Sequence, residues 1–329
     1  MSFQGPPGPL SSSAESEDGH ISVMVEEVIA ALSPVAGSLH IDATLGSGGH
    51  ARRILEATNP DGRLLGLDAD RAAIARARRR LADFGRRATL RQANFEELGD
   101  VAAGEGFAAA DGVLFDLGLS SDQLADSERG FSFRADGALD MRFDASRGTP
   151  AGQVLGELSE SELRDVFRRY GEEPFAGRIA RAIVERRQRQ PIETAGELAE
   201  IVERAVPGPA RGRRRIHPAT RVFQALRIYV NRELETLPRA LAAAVDALRP
   251  EGRLAVISYH SLEDRIVKRF INAERRGCTC PPELPVCVCG KSARLAPVGR
   301  QPQRPTVAEV ARNPRSRSAL LRAARRLAA

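Results

Sequence analysis

The strongest constraint on the fold is a regular alternation of short apolar segments with helical segments near the start of the chain. Four segments have the length and apolar content of buried strands, and they lie at residues 40–44, 63–67, 88–92 and 113–115. Helical patterns lie between them, and strands joined by helices assemble into a parallel sheet with helices on both faces. The sequence therefore predicts an α/β fold with a doubly wound sheet.

The alternation stops after the fourth strand. Between about residues 121 and 237 we find no convincing strand, and two capping boxes begin helical patterns instead, Ser159 with Glu162 and Thr194 with Glu197. The strand pattern resumes at residues 253–258. We therefore expect an all-helical domain inserted between strands four and five of the sheet.

This interpretation divides the chain into three parts. Residues 1–19 are rich in Gly, Pro and Ser and contain no Lys or Arg, which predicts a disordered lead-in rather than a signal peptide. Residues 20–124 and 238–329 would form the sheet domain, and residues 125–237 the inserted substrate-recognition domain. No apolar run approaches the roughly 20 residues of a membrane span, so we expect a cytoplasmic protein.

The chain is basic, with a formal net charge of +6 and a pI near 9.6. Residues 211–232 contain seven arginines and no acid, and residues 291–329 contain ten basic residues and one acid, Glu309. Segments of this kind suit a polyanionic partner such as nucleic acid. Solvated protein faces have the same composition, so charge alone leaves both interpretations open.

A glycine-rich turn follows the first predicted strand. Gly46, Gly48 and Ala51 fit the pattern G-x-G-x-x-A, and Asp68 closes the second strand. Glycines let the backbone approach a ligand closely, and an acid at this position accepts hydrogen bonds from the hydroxyls of a ribose. Proteins that bind NAD and proteins that bind S-adenosylmethionine share this arrangement.

Polar groups after the later strands distinguish the two cofactors. Asn94 follows strand three, and Asp116, Ser120 and Gln123 follow strand four. Acidic surroundings suit a cationic sulfonium better than the pyrophosphate of NAD. The residues thus favour a methyltransferase, with an NAD-dependent oxidoreductase as the alternative.

Several ordered blocks of sequence resemble the bacterial 16S rRNA cytosine-N4 methyltransferase family. The resemblance runs from about residue 20 to the C-terminus. The blocks are residues 42–50 (DATLGSGGH), 116–124 (DLGLSSDQL), 128–133 (ERGFSF), 139–142 (LDMR), 216–227 (IHPATRVFQALR), 258–265 (SYHSLEDR) and 313–318 (NPRSRS).

The resemblance implies a class I, Rossmann-like methyltransferase sheet with an inserted helical domain. It also implies S-adenosylmethionine as cofactor and, as substrate, the N4 of a cytosine in the decoding region of 16S rRNA in the small ribosomal subunit. The cofactor-binding residues of the family correspond here to Gly48, Gly49, His50, Asp68, Phe95, Asp116 and Gln123. For Phe95 the alternative is a core position, and for His50 a hydrogen bond at a helix start.

The methyl acceptor of the family is a poor nucleophile, because the lone pair of N4 is conjugated into the ring. Catalysis is therefore mainly the positioning of a base that has left its stack. Many amino methyltransferases end strand four with Asn or Asp, two prolines and an aromatic, whereas this chain has D-L-G-L at residues 116–119. Asp116, Ser258 and His260 are the candidates for contact with N4, and Asp116 and His260 are the catalytic candidates. For His260 a structural hydrogen bond at a strand end is the alternative.

Cations mixed with aromatics suit stacking on bases and contact with phosphates. Arg129 and Arg142 lie near Phe131 and Phe133 in this way, although they could equally seal the insert onto the sheet. The three adjacent arginines at residues 213–215 cannot all be buried, so they are better candidates for contact with RNA. The RNA-binding candidates are Arg129, Arg142, Arg213, Arg214, Arg215, Arg315 and Arg317.

Four cysteines, Cys278, Cys280, Cys287 and Cys289, lie within twelve residues. Their thiolates could bind zinc, but C-x-x-C is the usual spacing and the surrounding prolines equally fit an ordered surface loop, so no metal is predicted. None follows strand four, where C5-methylation of cytosine would need a cysteine nucleophile.

Three questions remain open at this point. A non-catalytic RNA-binding assembly factor would keep the basic segments, but it would not need Asp68 and Asp116. The sequence also leaves open the oligomeric state, with a homodimer as one alternative, and whether the substrate is free RNA or an assembled subunit.

Overall fold

The computed structural model describes residues 21–133, 137–208, 217–278, 280–281, 284–286 and 288–328. The predicted lead-in at residues 1–19, the arginines Arg213, Arg214 and Arg215, and Cys287 lie outside the described residues. What the sequence predicts for them stays a prediction.

A seven-stranded sheet with the strand order β3-β2-β1-β4-β5-β7-β6 forms the centre of the structure. The strands are β1 Leu39–Asp42, β2 Arg63–Asp68, β3 Ala88–Gln92, β4 Ala110–Asp116, β5 Leu248–Ser258, β6 Leu295–Pro297 and β7 Leu320–Arg326. Strands β1 to β5 run parallel to one another, and β7 runs antiparallel to β5 and β6. The order reverses direction at β1, as in doubly wound sheets. The predicted fold class is confirmed.

The sequence pattern found the first five strands and missed the last two. Strand β7 has the sequence LLRAARR. Its three arginines interrupt the apolar pattern by which a strand is predicted. Arg322 is nevertheless buried, because its guanidinium donates to both carboxylate oxygens of Asp264 at 2.7 and 3.0 Å. A strand with a buried, paired arginine has no apolar alternation from which it could be recognised.

Helices cover both faces of the sheet. They are α1 Val25–Leu32, α2 Gly49–Ala57, α3 Arg71–Arg80, α4 Leu98–Gly104 and α5 Ser121–Ala125 in the first half of the chain. One apolar cluster packs α1, α2 and α3 on the sheet through residues such as Val28, Ile54 and Ile74. A second cluster packs α4 and two later helices on it through residues such as Leu98, Leu241 and Val267. The sheet is therefore the middle of three layers.

The described residues between β4 and β5 contain helices and no named strand. After α5 the helices are α6 Ala151–Glu157, α7 Glu160–Gly171, α8 Ala176–Arg187, α9 Ala195–Ala205 and α10 Thr220–Asn231. Both predicted capping boxes are present, at Ser159 and Thr194. These helices build a third apolar cluster around Phe167, Ile183 and Leu198.

Three helices complete the sheet layers. They are α11 Glu233–Ala247, α12 Ser261–Arg276 and α13 Val307–Arg312. Helix α11 packs on the sheet through Leu237 and Leu241, whereas Leu262 of α12 joins the cluster of the helical segment. Among the described residues, no helix is both long enough and apolar enough to cross a bilayer.

Candidate functional site

A cleft of about 390 Å³ lies at the carboxyl ends of the parallel strands. Segments that follow β1, β2, β3, β4 and β5 form one wall, which is where doubly wound sheets bind their ligands. Phe143 and Arg227, together with Leu234 at the start of α11, line it from the helical side. The cleft therefore lies between the sheet and the helical segment.

The glycine turn after β1 presents backbone, rather than side chains, to the cleft. Gly46 lines the cleft at φ +54°, and a Cβ atom built on it would have no neighbour within 4 Å. Gly48 has φ +83°, and a Cβ there would lie 3.4 Å from both Ala77 and Leu81 of the α3 region. Gly46 is thus the glycine that leaves space for a ligand, whereas Gly48 allows the turn to pack on a helix.

Asp68 closes β2 and faces the same cleft. Its Oδ2 accepts the backbone N–H of Gly46 and its Oδ1 accepts the backbone N–H of Asp70, both at 2.8 Å. Burial raises the pKa of Asp68 to about 6, against these two hydrogen bonds, which lower it. Each carboxylate oxygen keeps a further lone pair, so Asp68 can still accept ligand hydroxyls.

Asp116 lies between two side chains at the end of β4. The hydroxyl of Tyr259 donates to its Oδ1 at 2.8 Å, and Nε2 of His50 lies 3.4 Å from its Oδ2. Burial lowers the pKa of His50, but the nearby carboxylates of Asp116 and Asp42 outweigh this effect and raise it. Burial, with the charge of Asp116, also raises the pKa of Tyr259 well above its usual value. Tyr259 therefore stays protonated and remains a donor.

Gln123 and Phe95 complete the set that the sequence assigns to the cofactor. Gln123 caps α5 with Ser120, and its amide donates to Asp70 at 3.2 Å. Phe95 is half-buried on the cleft wall and makes an edge contact with Phe115, with ring centroids 6.1 Å apart. Six of the seven predicted cofactor residues line this one cleft: Gly49, His50, Asp68, Phe95, Asp116 and Gln123. The seventh, Gly48, does not line it.

His260 and Ser258 do not line the cleft. His260 caps α12: its Nδ1 accepts the N–H of Glu263, and its Nε2 lies 3.0 Å from Oε1 of the same residue. The Ser258 hydroxyl is buried and donates to the carbonyl of Leu320 at 3.4 Å. His260 therefore makes structural hydrogen bonds at the start of α12, which is the alternative that the sequence left open for it.

Tyr259 is the site residue that sequence reasoning missed. It lies between Ser258 and His260, and in an extended segment neighbouring side chains point to opposite sides. Ser258 and His260 therefore point to one side of the segment and Tyr259 to the other. This alternation could have identified Tyr259 as the residue that reaches the cleft.

A buried ionic group lies beside the cleft and was also missed. Arg227 donates to both carboxylate oxygens of Glu233 at 2.8 and 2.9 Å, and Glu263 lies 3.7 Å from the same guanidinium. Burial lowers the pKa of Arg227, but the two carboxylates outweigh it and raise the pKa. Because Arg227 is on α10, Glu233 on α11 and Glu263 on α12, the group ties the helical segment to the sheet layers.

Two of the RNA-binding candidates, Arg129 and Arg142, form ion pairs and hydrogen bonds with other groups of the protein. Arg129 pairs with Asp70 at 3.1 Å and donates to the carbonyls of Arg142 and Phe143 at 2.7 and 3.0 Å. Arg142 makes two hydrogen bonds of 2.8 Å to Asp140. Arg129 therefore has the geometry of the alternative in which it seals the insert onto the sheet, since Asp70 follows β2, whereas the partners of Arg142 lie within the insert itself.

The two C-terminal candidates are placed differently. Arg315 and Arg317 are exposed, and Arg315 lines the cleft. Within the described residues neither one forms an ion pair. Exposed arginines without an internal ion pair are available to a phosphate backbone.

The sheet order and the cleft at its carboxyl edge define a class I methyltransferase. The sequence profile of the MraW methylase family matches residues 17–327, and the chain belongs to this family. The match confirms the resemblance found in the sequence, and it confirms S-adenosylmethionine rather than NAD as the cofactor.

Curated relatives and one solved structure are similar over nearly the whole chain. "Ribosomal RNA small subunit methyltransferase H" of Thermomicrobium roseum is 54% identical, with 94% of both chains covered. The protein of the same name from Symbiobacterium thermophilum is 53% identical over 94% of this chain and 97% of its own. The crystal structure of a putative rRNA-methylase from Clostridium thermocellum covers 93% of this chain and 99% of its own, with a TM-score of 0.44 and 13% identity.

Proposed function

We propose that this chain methylates the exocyclic N4 of a cytosine in the decoding region of 16S rRNA, within the small ribosomal subunit. The observation that carries the proposal is the Asp116 carboxylate, held at the cleft between Tyr259 and His50. The relatives that are more than half identical are named as methyltransferases of small-subunit ribosomal RNA. The N4 atom and the decoding region follow from the sequence blocks that resemble the cytosine-N4 family.

The cleft fits S-adenosylmethionine in size, shape and charge. Its volume of about 390 Å³ lies in the range of small-ligand sites. Gly46 and Gly49 present backbone to the ligand, Asp68 can accept ribose hydroxyls, and Phe95 can lie against an adenine. When bound, the cofactor supplies an electrophilic methyl group on a positively charged sulfur. The carboxylates of Asp68 and Asp116 complement that charge.

Asp116 is the proposed catalytic residue. Its carboxylate would accept a hydrogen bond from the N4 amino group, which orients the lone pair, and it would then accept the proton that the amine must lose. Tyr259 keeps the carboxylate in place through Oδ1, which leaves Oδ2 toward His50. Nε2 of His50 lies 3.4 Å from Oδ2, and the raised pKa of His50 favours the imidazolium, whose positive charge stabilises the Asp116 carboxylate that accepts the proton.

Methylation at the neighbouring C5 atom would need different groups. Carbon C5 becomes nucleophilic only after a cysteine adds to the ring, and none of the cysteines that the structure describes lines the cleft. Attack by an amino nitrogen needs no covalent intermediate. The site therefore supports N4 as the acceptor.

Substrate recognition is assigned to the helical segment and to the basic residues. We propose that residues 125–237 form the recognition domain, because Phe143 and Arg227 of that segment line the cleft. Arg315 at the cleft, the exposed Arg317 and the run Arg213 to Arg215 would contact phosphates. A homodimer and the need for an assembled subunit stay predictions.

The test is the identity of the product. Undermethylated small subunits are incubated with the protein and labelled S-adenosylmethionine, and the digested nucleosides are identified by mass. We expect N4-methylcytidine from the parent and from a variant with all four cysteines changed to serine. Asp116→Asn should lose methyl transfer, whereas Asp100→Asn, at an exposed position away from the cleft, should retain it. A C5-methyl product, or labelled product from Asp116→Asn at the parent rate, would contradict the proposal.

A further inference from the structure

We propose that the loop after α12 binds a structural zinc ion through the thiolates of Cys278, Cys280 and Cys289. The inference concerns a part of the molecule outside the methyltransferase cleft and does not rest on the function proposed above. It replaces the expectation of no metal, which relied on the C-x-C spacing and on the prolines of the loop.

The first observation is the spacing of the sulfur atoms. The three Sγ atoms all lie within 4.8 Å of one another, and those of Cys278 and Cys289 are 3.8 Å apart. Four thiolates around zinc at about 2.3 Å have edges of about 3.8 Å between sulfurs. A disulfide would bring the two sulfurs to about 2.05 Å. The loop therefore brings Cys278 and Cys289 to the distance of metal ligands, with Cys280 close to both.

The second observation is a hydrogen bond to a sulfur. The backbone N–H of Val288 donates to Sγ of Cys280 at 3.3 Å. Donors of this kind commonly orient and stabilise metal-bound thiolates. The bond also joins the segment of Cys280 to that of Cys289, since Val288 precedes Cys289 directly.

The third observation is the exposure of the loop's apolar side chains. Leu284, Val286 and Val288 are 46, 69 and 77% exposed, so these side chains provide little burial to offset the entropy of ordering the loop. Its base is closed by the N–H of Arg294, which donates to the carbonyl of Glu274 at 2.8 Å. A metal ion would supply the binding free energy that hydrophobic burial does not.

The position of the cluster argues for a structural role. Helix α12 begins beside the cleft and has 16 residues, which corresponds to about 24 Å. The cysteines follow its far end, and those that are described do not line the cleft.

The test is metal content of the full-length protein, purified under reducing conditions and incubated with one equivalent of zinc before desalting. We expect about one zinc ion per chain, as in tetrahedral thiolate sites. Cys278→Ser and Cys289→Ser should each lower the zinc content about tenfold or more after the same desalting. Val286→Ala, an exposed position in the same loop, should leave it unchanged.

A second measurement uses the parent protein alone, so it does not depend on the folding of a variant. Cobalt added to the metal-free chain should give the intense visible absorption of a tetrahedral thiolate site, and zinc should remove it. A parent protein that retains no zinc and shows no such absorption would overturn the proposal. So would a disulfide between Cys278 and Cys289 in the reduced preparation.

Discussion

The hydroxyl of Tyr259 donates to Oδ1 of Asp116 at 2.8 Å, and this bond links the ends of two neighbouring parallel strands. Strands β4 and β5 pair in register up to Asp116 and Ile257, so the two side chains meet where the strands end at the cleft. The bond fixes one oxygen of the proposed catalytic carboxylate, and the other lies toward His50.

Tyr259→Phe should lower the rate of methyl transfer. A hydrogen bond to a charged group contributes about 1.5 to 3 kcal/mol, so we expect a reduction of roughly tenfold or more at saturating cofactor. Single-turnover kinetics would measure it. The matched control is Tyr229→Phe, because Tyr229 packs in the helical segment and does not line the cleft. An unchanged rate for Tyr259→Phe would mean that the tyrosine only fills space.

Gly46→Val and Gly48→Val should have different effects although both glycines have positive φ. Both variants lose stability, since a left-handed non-glycine residue costs roughly 1 to 2 kcal/mol. Gly46→Val should also weaken S-adenosylmethionine binding, because its side chain enters the cleft. Gly48→Val should lose more stability, because its side chain meets Ala77 and Leu81. Titration calorimetry and thermal unfolding would separate the two effects, and equal loss of cofactor affinity in folded samples of both would contradict this assignment.

Asp42→Asn should stabilise the protein at neutral pH. Burial raises the pKa of Asp42 from 3.8 to about 7, while the charge of His50 and the N–H of Thr44 oppose the shift. The folded state therefore binds more protons than the unfolded state between these two values, and the parent loses stability as pH rises through them. We expect the gain of Asp42→Asn to be small near pH 4 and to reach a few kcal/mol above pH 7.

Urea unfolding across this pH range would measure the gain. The control is Asp83→Asn, at an exposed position, which should give no pH-dependent difference. A gain in stability that is largest at acidic pH would show that the folded state lowers, rather than raises, the pKa of Asp42.

Replacing Arg315 and Arg317 by alanine should weaken RNA binding and flatten its dependence on salt. Each phosphate contact contributes roughly one unit to the slope of log K against log salt concentration, so a change of up to about two is expected. Cofactor affinity should change little. Replacing Arg213, Arg214 and Arg215 should have the same kind of effect. An identical salt slope for parent and variant would mean that these arginines are only solvated.

Arg129→Ala should mainly reduce stability. Its loss leaves Asp70 without one charged partner and two backbone carbonyls without their donor, and each such loss costs about 1 to 3 kcal/mol. Thermal unfolding would measure the effect. The salt slope of RNA binding should match that of the parent, and a flatter slope with unchanged stability would return Arg129 to the RNA-binding set.

The first five strands and most of the cleft could be predicted from sequence because buried parallel strands are apolar along most of their length. Polar residues that follow such strands must meet at one edge of the sheet. This rule places Asp68 and Asp116 together from the sequence alone, whereas the assignment of Phe95 to the cofactor came from the family resemblance. It failed for β7, because the burial of Arg322 depends on Asp264, which lies 58 residues earlier in the chain.

The sequence by itself determined the sheet type, the position of the helical insert, the family and the set of polar segments around the cleft. These follow from local periodicity, turn residues and ordered motifs. Only the tertiary structure decided which neighbour in each segment lines the cleft: Tyr259 rather than His260, and Gly46 rather than Gly48. It also turned Arg129 inward and gathered the cysteines. The physical reason is that a side chain's direction and partners depend on residues distant in the chain, whose packing local patterns do not specify.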